Sequence, residues 1–200
     1  MLDEESGASD YADVYLDNII KGNIDYALRW VLMYADATLL SGSGCVKSYL
    51  LSNNGQPEVD GTNMKNGYIS LPNNFIKLMK VKAQGWQKAV KLPVAEDSEE
   101  YLMQSDETAK ADKTRPVVAL LEDEPLKLEL FPKPSASELA QVVFICDSSQ
   151  STGSNIGVPD KVEGAFIHYL AYLVMVAWND ASKAQNMLGV AKMELGMTGQ

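Results

Sequence analysis

The sequence predicts an α+β protein: an antiparallel helical bundle, made by N-terminal and C-terminal helices, carrying an inserted antiparallel β-rich lobe. Three observations predict it. Apolar residues recur at three- and four-residue steps from Asp10 to Ala35, and a second helical region runs from Ala165 to Leu195. Between these regions the chain changes to short runs separated by Gly, Pro and Asn clusters. Helical and strand runs are thus kept apart, which indicates α+β and not alternating βαβ units. The expected divisions are 1–44 for an N-terminal arm and bundle helices, 45–147 for the β-rich insertion, and 148–200 for a loop and the C-terminal helical pair.

Residues 1–9 are polar and acidic and read as a mobile arm. From Asp10, the residues Val14, Ile19, Ile20, Ile24, Ala27, Leu28, Val31, Leu32 and Ala35 mark a helical face. Gly22-Asn23 kinks this region or splits it in two, and Ser41-Gly42-Ser43-Gly44 ends it. Cys45–Leu51 and Gly67–Leu71 read as strands divided by turn-rich Asn53–Pro57 and Asp60–Asn63. Phe75–Ala83 alternates in part and is read as a strand, and Trp86–Leu92 returns as its hairpin partner after Gln84-Gly85. A short helix is expected at about Ser98–Gln104. Strands follow at Pro116–Leu121, Leu126–Phe131 and Gln141–Cys146. In the second of these, Leu126, Leu128 and Leu130 alternate with Lys127, Glu129 and Phe131, which suits a sheet with one wet face. Asp147–Asn155 is a low-complexity loop.

The stretch Ile156–Trp178 reads as the central helix. Pro159 fits a first turn, Asp160 and Glu163 oppose the positive end of the helix dipole, and Ala165–Trp178 is apolar almost all round, as in a helix buried on several sides. A last helix, Ala181–Leu195, carries Ala184, Met187, Leu188, Ala191 and Leu195 on one side and stops at Gly196.

Composition narrows the function classes. Hydrophobic content of 46% and charged content of 22% are those of a folded chain. The net charge is −10, without the basic excess that gripping nucleic acid usually requires. Cys45 and Cys146 form neither a disulfide framework nor a metal pattern and read as buried free thiols. The acidic N-terminus lacks a signal-peptide pattern, and Ala165–Trp178 is too short for the ~20 apolar residues of a membrane span. A soluble protein is expected.

Candidate catalytic features have plainer explanations. Gly42-Ser43-Gly44-Cys45-Val46-Lys47-Ser48 resembles a phosphate loop, but Val46 replaces the second glycine and the segment leads from helix to strand, the reverse of the required order. His168 is the only histidine, so a zinc site would need carboxylates from elsewhere, and no G-x-S-x-G elbow supplies a nucleophile; a hydrogen-bonded core or interface histidine is expected. Pro159-Asp160 with Lys127-Leu128-Glu129 has the residue types of a metal-dependent nuclease in the wrong order, and Glu163 shares the helix of Asp160. The acidic runs Glu96–Glu100 and Glu122–Glu124 read as solvated loops. Tyr26, Trp30 and Tyr34 fall at helical spacing and suit packing better than base stacking in an acidic chain. No enzyme activity, metal or cofactor is expected.

One resemblance supplies a function. Ile69-Ser70-Leu71-Pro72-Asn73-Asn74-Phe75-Ile76-Lys77-Leu78, then Gly85-Trp86, Glu100-Tyr101, Leu126–Phe131 with Pro132 and Pro134, and the Val158-Pro159 entry to the last helices resemble, in that order, head–tail adaptor proteins of tailed bacteriophages. The likeness covers about residues 10–196 and is strongest to the adaptor or tail tubular proteins of short-tailed phages, including ring proteins of crAss-like phages. It implies a virion protein at the head–tail junction or tail, assembled in the host cytoplasm as a ring of about twelve copies. The ring would bind beneath the portal protein, extend the DNA channel, and offer a platform for other tail or ring proteins. Genomic DNA would pass without specific binding, and no membrane is involved. The insertion is longer than in the smallest such adaptors. On this reading Leu28, Val31, Leu32, Phe166, Leu170, Val174, Trp178 and Leu188 make the bundle core or subunit interface, and Leu71, Pro72, Phe75 and Trp86 make β-lobe contacts. The competing reading is a non-catalytic binding module whose β lobe recognises a ligand or a host surface molecule.

Overall fold

A computed structural model describes residues 6–54, 59–147 and 157–197. It is α+β, with four α-helices and two sheets of eight strands among the described residues. The chain divides into two compact units: Met1–Ser43 with Ser151–Gln200, and Gly44–Gln150.

The first unit contains α1 (Ser6–Tyr34), α3 (Glu163–Ala177) and α4 (Ala181–Glu194). Helix α1 runs unbroken through Gly22, where the sequence suggested a kink, and it begins at Ser6 inside the expected arm. Asn23 keeps the helix path by donating its side-chain amide to the Ile19 carbonyl, 2.8 Å away. Ala27, Leu28, Val31, Leu32 and Ala35 follow the three-to-four-residue period and are fully buried. A single 3₁₀ turn, Asp160–Val162, leads into α3, with Pro159 before it. Asp180 caps α4 by accepting the Lys183 N–H at 3.1 Å, and Gly196, at φ +74°, ends it.

The second unit is a sandwich of two sheets. Strands β1 (Val46–Ser52), β8 (Leu139–Cys146) and β4 (Phe75–Ala83) form one sheet, with β8 in the centre and both pairings antiparallel. The other sheet has the order β2 (Asn63–Lys65), β3 (Tyr68–Ser70), β7 (Lys127–Phe131), β6 (Val117–Leu121), β5 (Val94–Ala95). One buried cluster fills the space between them, with Leu51, Val81, Val142 and Phe144 from the first sheet and Met64, Ile69, Val118, Leu128 and Leu130 from the second. The short helix α2 (Glu99–Leu102) is capped by Ser98 and continues into a 3₁₀ turn at Met103–Ser105.

Three expectations are corrected. The structure does not show an antiparallel helical bundle with an inserted β-rich lobe. Helices are few, one has only four residues, and strands dominate the core. The cause is the modest burial of the helices: α3 buries Ala165, Phe166, Tyr169 and Val174, whereas the sheets close over one continuous apolar cluster. Helix α3 is therefore not buried on all sides. Trp86–Leu92 is not the hairpin partner of β4. It meets β4 through the antiparallel Val81–Val90 bridge and the Trp86 N–H on the Ala83 carbonyl, 3.1 Å away, and forms no strand, because Trp86 turns into the core and Gln87 N–H bonds instead to the Lys113 carbonyl. The true partner of β4 is β8, far along the chain. Ile156, the loop residues 148–155 and the turn residues 55–57 lie outside the described residues, as do residues 1–5 of the expected arm.

Candidate functional site

The helical unit carries an aromatic group built from spacing alone. Tyr26, Trp30 and Tyr34 stand one turn apart on α1. Trp30 stacks on Tyr169 of α3 with centroids 3.9 Å apart and planes 3° from parallel. Tyr34 lies 5.1 Å from Trp30, and Tyr172 lies 5.4 Å from Tyr169. Burial, and then a hydrogen bond with Tyr26, push the Tyr169 phenol well above the usual tyrosine range. The stripe packs α1 on α3, while Tyr26 and Tyr34 keep much of their surface in solvent.

Helix α3 leaves apolar residues exposed at more than one place on its surface. Ile167, Ala171, Val174 and Trp178 recur at four-, three- and four-residue steps and so share one side of the helix, which is exposed at Ile167 and Trp178, half-buried at Ala171 and buried at Val174. Ile167 is 53% exposed and Trp178 48% exposed. Leu170 is half-buried, and Val176, nine residues after Ile167 and so on the opposite side of the helix, is also exposed. From Ala165 to Trp178 the sequence offers no acidic residue, lysine or arginine to solvate either side. Of the eight residues assigned to core or interface, Leu28, Val31, Leu32, Phe166 and Val174 are buried, Leu170 and Leu188 half-buried, and Trp178 exposed.

His168 is half-buried between α3 and α4. Its Nδ1 lies 2.9 Å from the Gly164 carbonyl and 3.1 Å from Glu194 Oε2, two acceptors, so Nδ1 carries the proton. A Cβ at Gly164 would meet Glu194 Oε1 at 2.9 Å; the glycine lets the Glu194 carboxylate sit against the start of α3. This is a helix–helix tie.

In the β unit, Leu71, Phe75 and Trp86 are core residues and Pro72 is half-buried beside them. The segment Gly42–Ser48 is a turn entering β1, with Gly42 at φ +84°. Cys45 and Cys146 are buried free thiols. Cys146 Sγ lies 3.6 Å from the Cys45 carbonyl oxygen, and burial pushes the Cys146 thiol up.

Sequence reasoning missed a buried acid on β7. Glu129 faces away from the core and beneath α2, with Lys133 Nζ 2.8 Å from Oε1 and the Tyr101 hydroxyl donating to Oε2 at 3.1 Å. Lys133 also donates to the Tyr68 hydroxyl at 3.1 Å and stands 4.4 Å above that ring. Burial alone would raise the Glu129 carboxyl. The Lys133 ammonium and the Tyr68 and Tyr101 hydroxyls outweigh it and hold the carboxyl below the usual glutamate range. The readable signal was a lone acid between Leu128 and Leu130 with a lysine four residues on. Every partner comes from within the unit, so the group reads as a polar anchor tying α2 and β3 to β7. Lys127 pairs with Asp123 at 3.0 Å and is likewise not poised for nuclease chemistry.

Among the described residues, no group of three or more His, Cys, Asp or Glu could hold a metal, and no helix is long and apolar enough to cross a membrane. No protein-family model and no curated protein matches the chain.

Proposed function

We propose that this chain is a structural virion protein: a ring-forming head–tail adaptor that sits beneath the portal, extends the DNA channel and gives later tail proteins a platform. The observation that carries the reading is the exposed apolar surface of α3, a helix with no acid, lysine or arginine from Ala165 to Trp178. A helix with this composition normally has apolar neighbours on several sides, yet the chain leaves Ile167, Val176 and Trp178 exposed. A second copy is the occupant the ring reading supplies, and each copy then completes what its neighbour leaves open. The net charge of −10, repeated around a channel, disfavours phosphate binding and lets DNA slide.

The test is the mass of the purified chain, alone and mixed with the portal and neighbouring tail proteins. A closed oligomer in the mixture is expected. A chain that stays monomeric in every mixture refutes the adaptor reading. A lumen lined mainly by lysine and arginine in the assembled ring would refute the charge argument.

A further inference from the structure

The β unit is polar in an electrostatic sense, and its two outer sides match each other. Between Asn66 and Ala95 the charged residues are Lys77, Lys80, Lys82, Lys88 and Lys91, with no carboxylate. From Glu96 to Glu107 the order inverts: Glu96, Asp97, Glu99, Glu100, Asp106 and Glu107, with no base. The sandwich puts Lys80 and Lys82 on one surface and the acids of α2 on another. Val81 pairs with Val142 and both enter the core, so their neighbours Lys80 and Lys82 point out of the three-stranded sheet. On the other sheet Leu128 and Leu130 enter the core, so Glu129 and Phe131 point out, and Tyr101 of α2 packs on both. Helix α2 therefore lies on the opposite outer side of the sandwich. Among the described residues, Lys80 and Lys82 have no ion-pair partner.

Shape follows charge. At the end of the lysine side is an open hollow of about 450 Å³, lined by Leu50, Lys82, Gln84, Trp86, Leu139 and Gln141 among others. Leu50 is 66% exposed at its rim. On the far side, α2 presents Leu102, 63% exposed, and its C-cap Met103, with Glu99 and Glu100 one turn before them. One side is an apolar hollow with a basic rim, and the other is an apolar knob with an acidic rim.

We propose that the hollow of one copy receives the α2 knob of a second copy, Leu102 and Met103 against Leu50 and Leu139, with Lys80 and Lys82 opposite Glu99 and Glu100. Because the two surfaces differ, the contact is head-to-tail, the kind that generates rings when the rotation closes. Apolar centre and charged rim are the usual division of labour in such contacts, the centre holding and the rim selecting register. The proposal rests on the reading of this chain as a ring subunit and names surfaces through which neighbours meet.

The test uses the full chain. Light and heavy-isotope protein are mixed, treated with a zero-length carbodiimide and read by mass spectrometry, beside sedimentation velocity of charge variants. Mixed-isotope links from Lys80 or Lys82 to Glu99 or Glu100 are expected. K80E/K82E and E99K/E100K should each associate at least tenfold more weakly. The chain carrying all four reversals has complementary sides again and should recover. If a variant fails to fold, the wild-type cross-links decide alone. Mixed-isotope links confined to other surfaces, none up to the solubility limit, or undiminished association in both folded variants overturns the proposal. So does saturable uptake of a small apolar dye by the hollow that self-association leaves unchanged. Those results leave the adaptor reading standing, because rings can close through the helical unit. Conversely, these links in a chain absent from the head–tail junction sink the adaptor reading alone.

Discussion

Replacing Ile167 by Asp separates folding from assembly. Ile167 is 53% exposed, so the isolated chain buries about half of it. Full burial of such a side chain is worth about 1.5–3 kcal/mol, so the fold itself should lose only about 1 kcal/mol. If a second copy covers the exposed half, the association loses a similar amount again, and the new carboxylate is left buried without a partner. Breaking a buried charge pair costs about 3–5 kcal/mol, and a lone buried acid is of that order. The association should therefore weaken by about 4 kcal/mol, roughly a thousandfold. Chemical denaturation reads the first quantity and a sedimentation concentration series, with and without the portal, reads the second. Ile167→Leu, which conserves volume, is the control and should alter neither by more than about 1.5 kcal/mol. If Ile167→Asp assembles with the wild-type midpoint, Ile167 is not in a subunit contact and the reasoning fails.

Three further results are expected. Phe144→Ala empties a fully buried site and removes ring contacts to Tyr49 and Phe75, each 5.8 Å away, so stability to denaturant should fall by about 3–5 kcal/mol. Glu129 titrates below the ordinary glutamate value of about 4.3, so its contribution is complete above that pH and is lost as pH falls through the folded value. Glu129→Gln should cost about 1–3 kcal/mol at pH 7 and make the denaturant midpoint less sensitive to acid below pH ~4.3. Cys45 and Cys146 are buried and the Cys146 thiol is pushed up, so iodoacetamide at pH 8 should label neither until denaturant is added; rapid labelling of the native chain contradicts their placement.

Local chemistry was legible and long-range pairing was not. Phe75–Ala83 reads to the residue as β4, and the short helix expected at about Ser98–Gln104 is present as α2 with its 3₁₀ extension. The partner of β4 was misassigned to the next segment because period and turn signals are local, whereas β8 arrives from more than fifty residues away. The architecture failed for a related reason. Apolar content predicts a covered α3, but not by what. Assigning that cover to the chain's own helices produced the bundle the structure does not show. At the candidate surfaces, the lysine run and the acidic run were both visible in sequence. The placement of Lys80 and Lys82 and of the acids of α2 on opposite sides of one sandwich needed the register of β4 with β8 and the packing of Tyr101 on Glu129.

The central claim is a place in a particle, and imaging tests it most directly. A reconstruction of the tail-bearing virion with this subunit located should show a closed ring of copies on the tail axis beneath the portal, with Ile167 and Trp178 of α3 against a neighbouring copy. A reconstruction in which the subunit is absent from the head–tail junction and tail, or sits there as isolated copies off the axis, contradicts it.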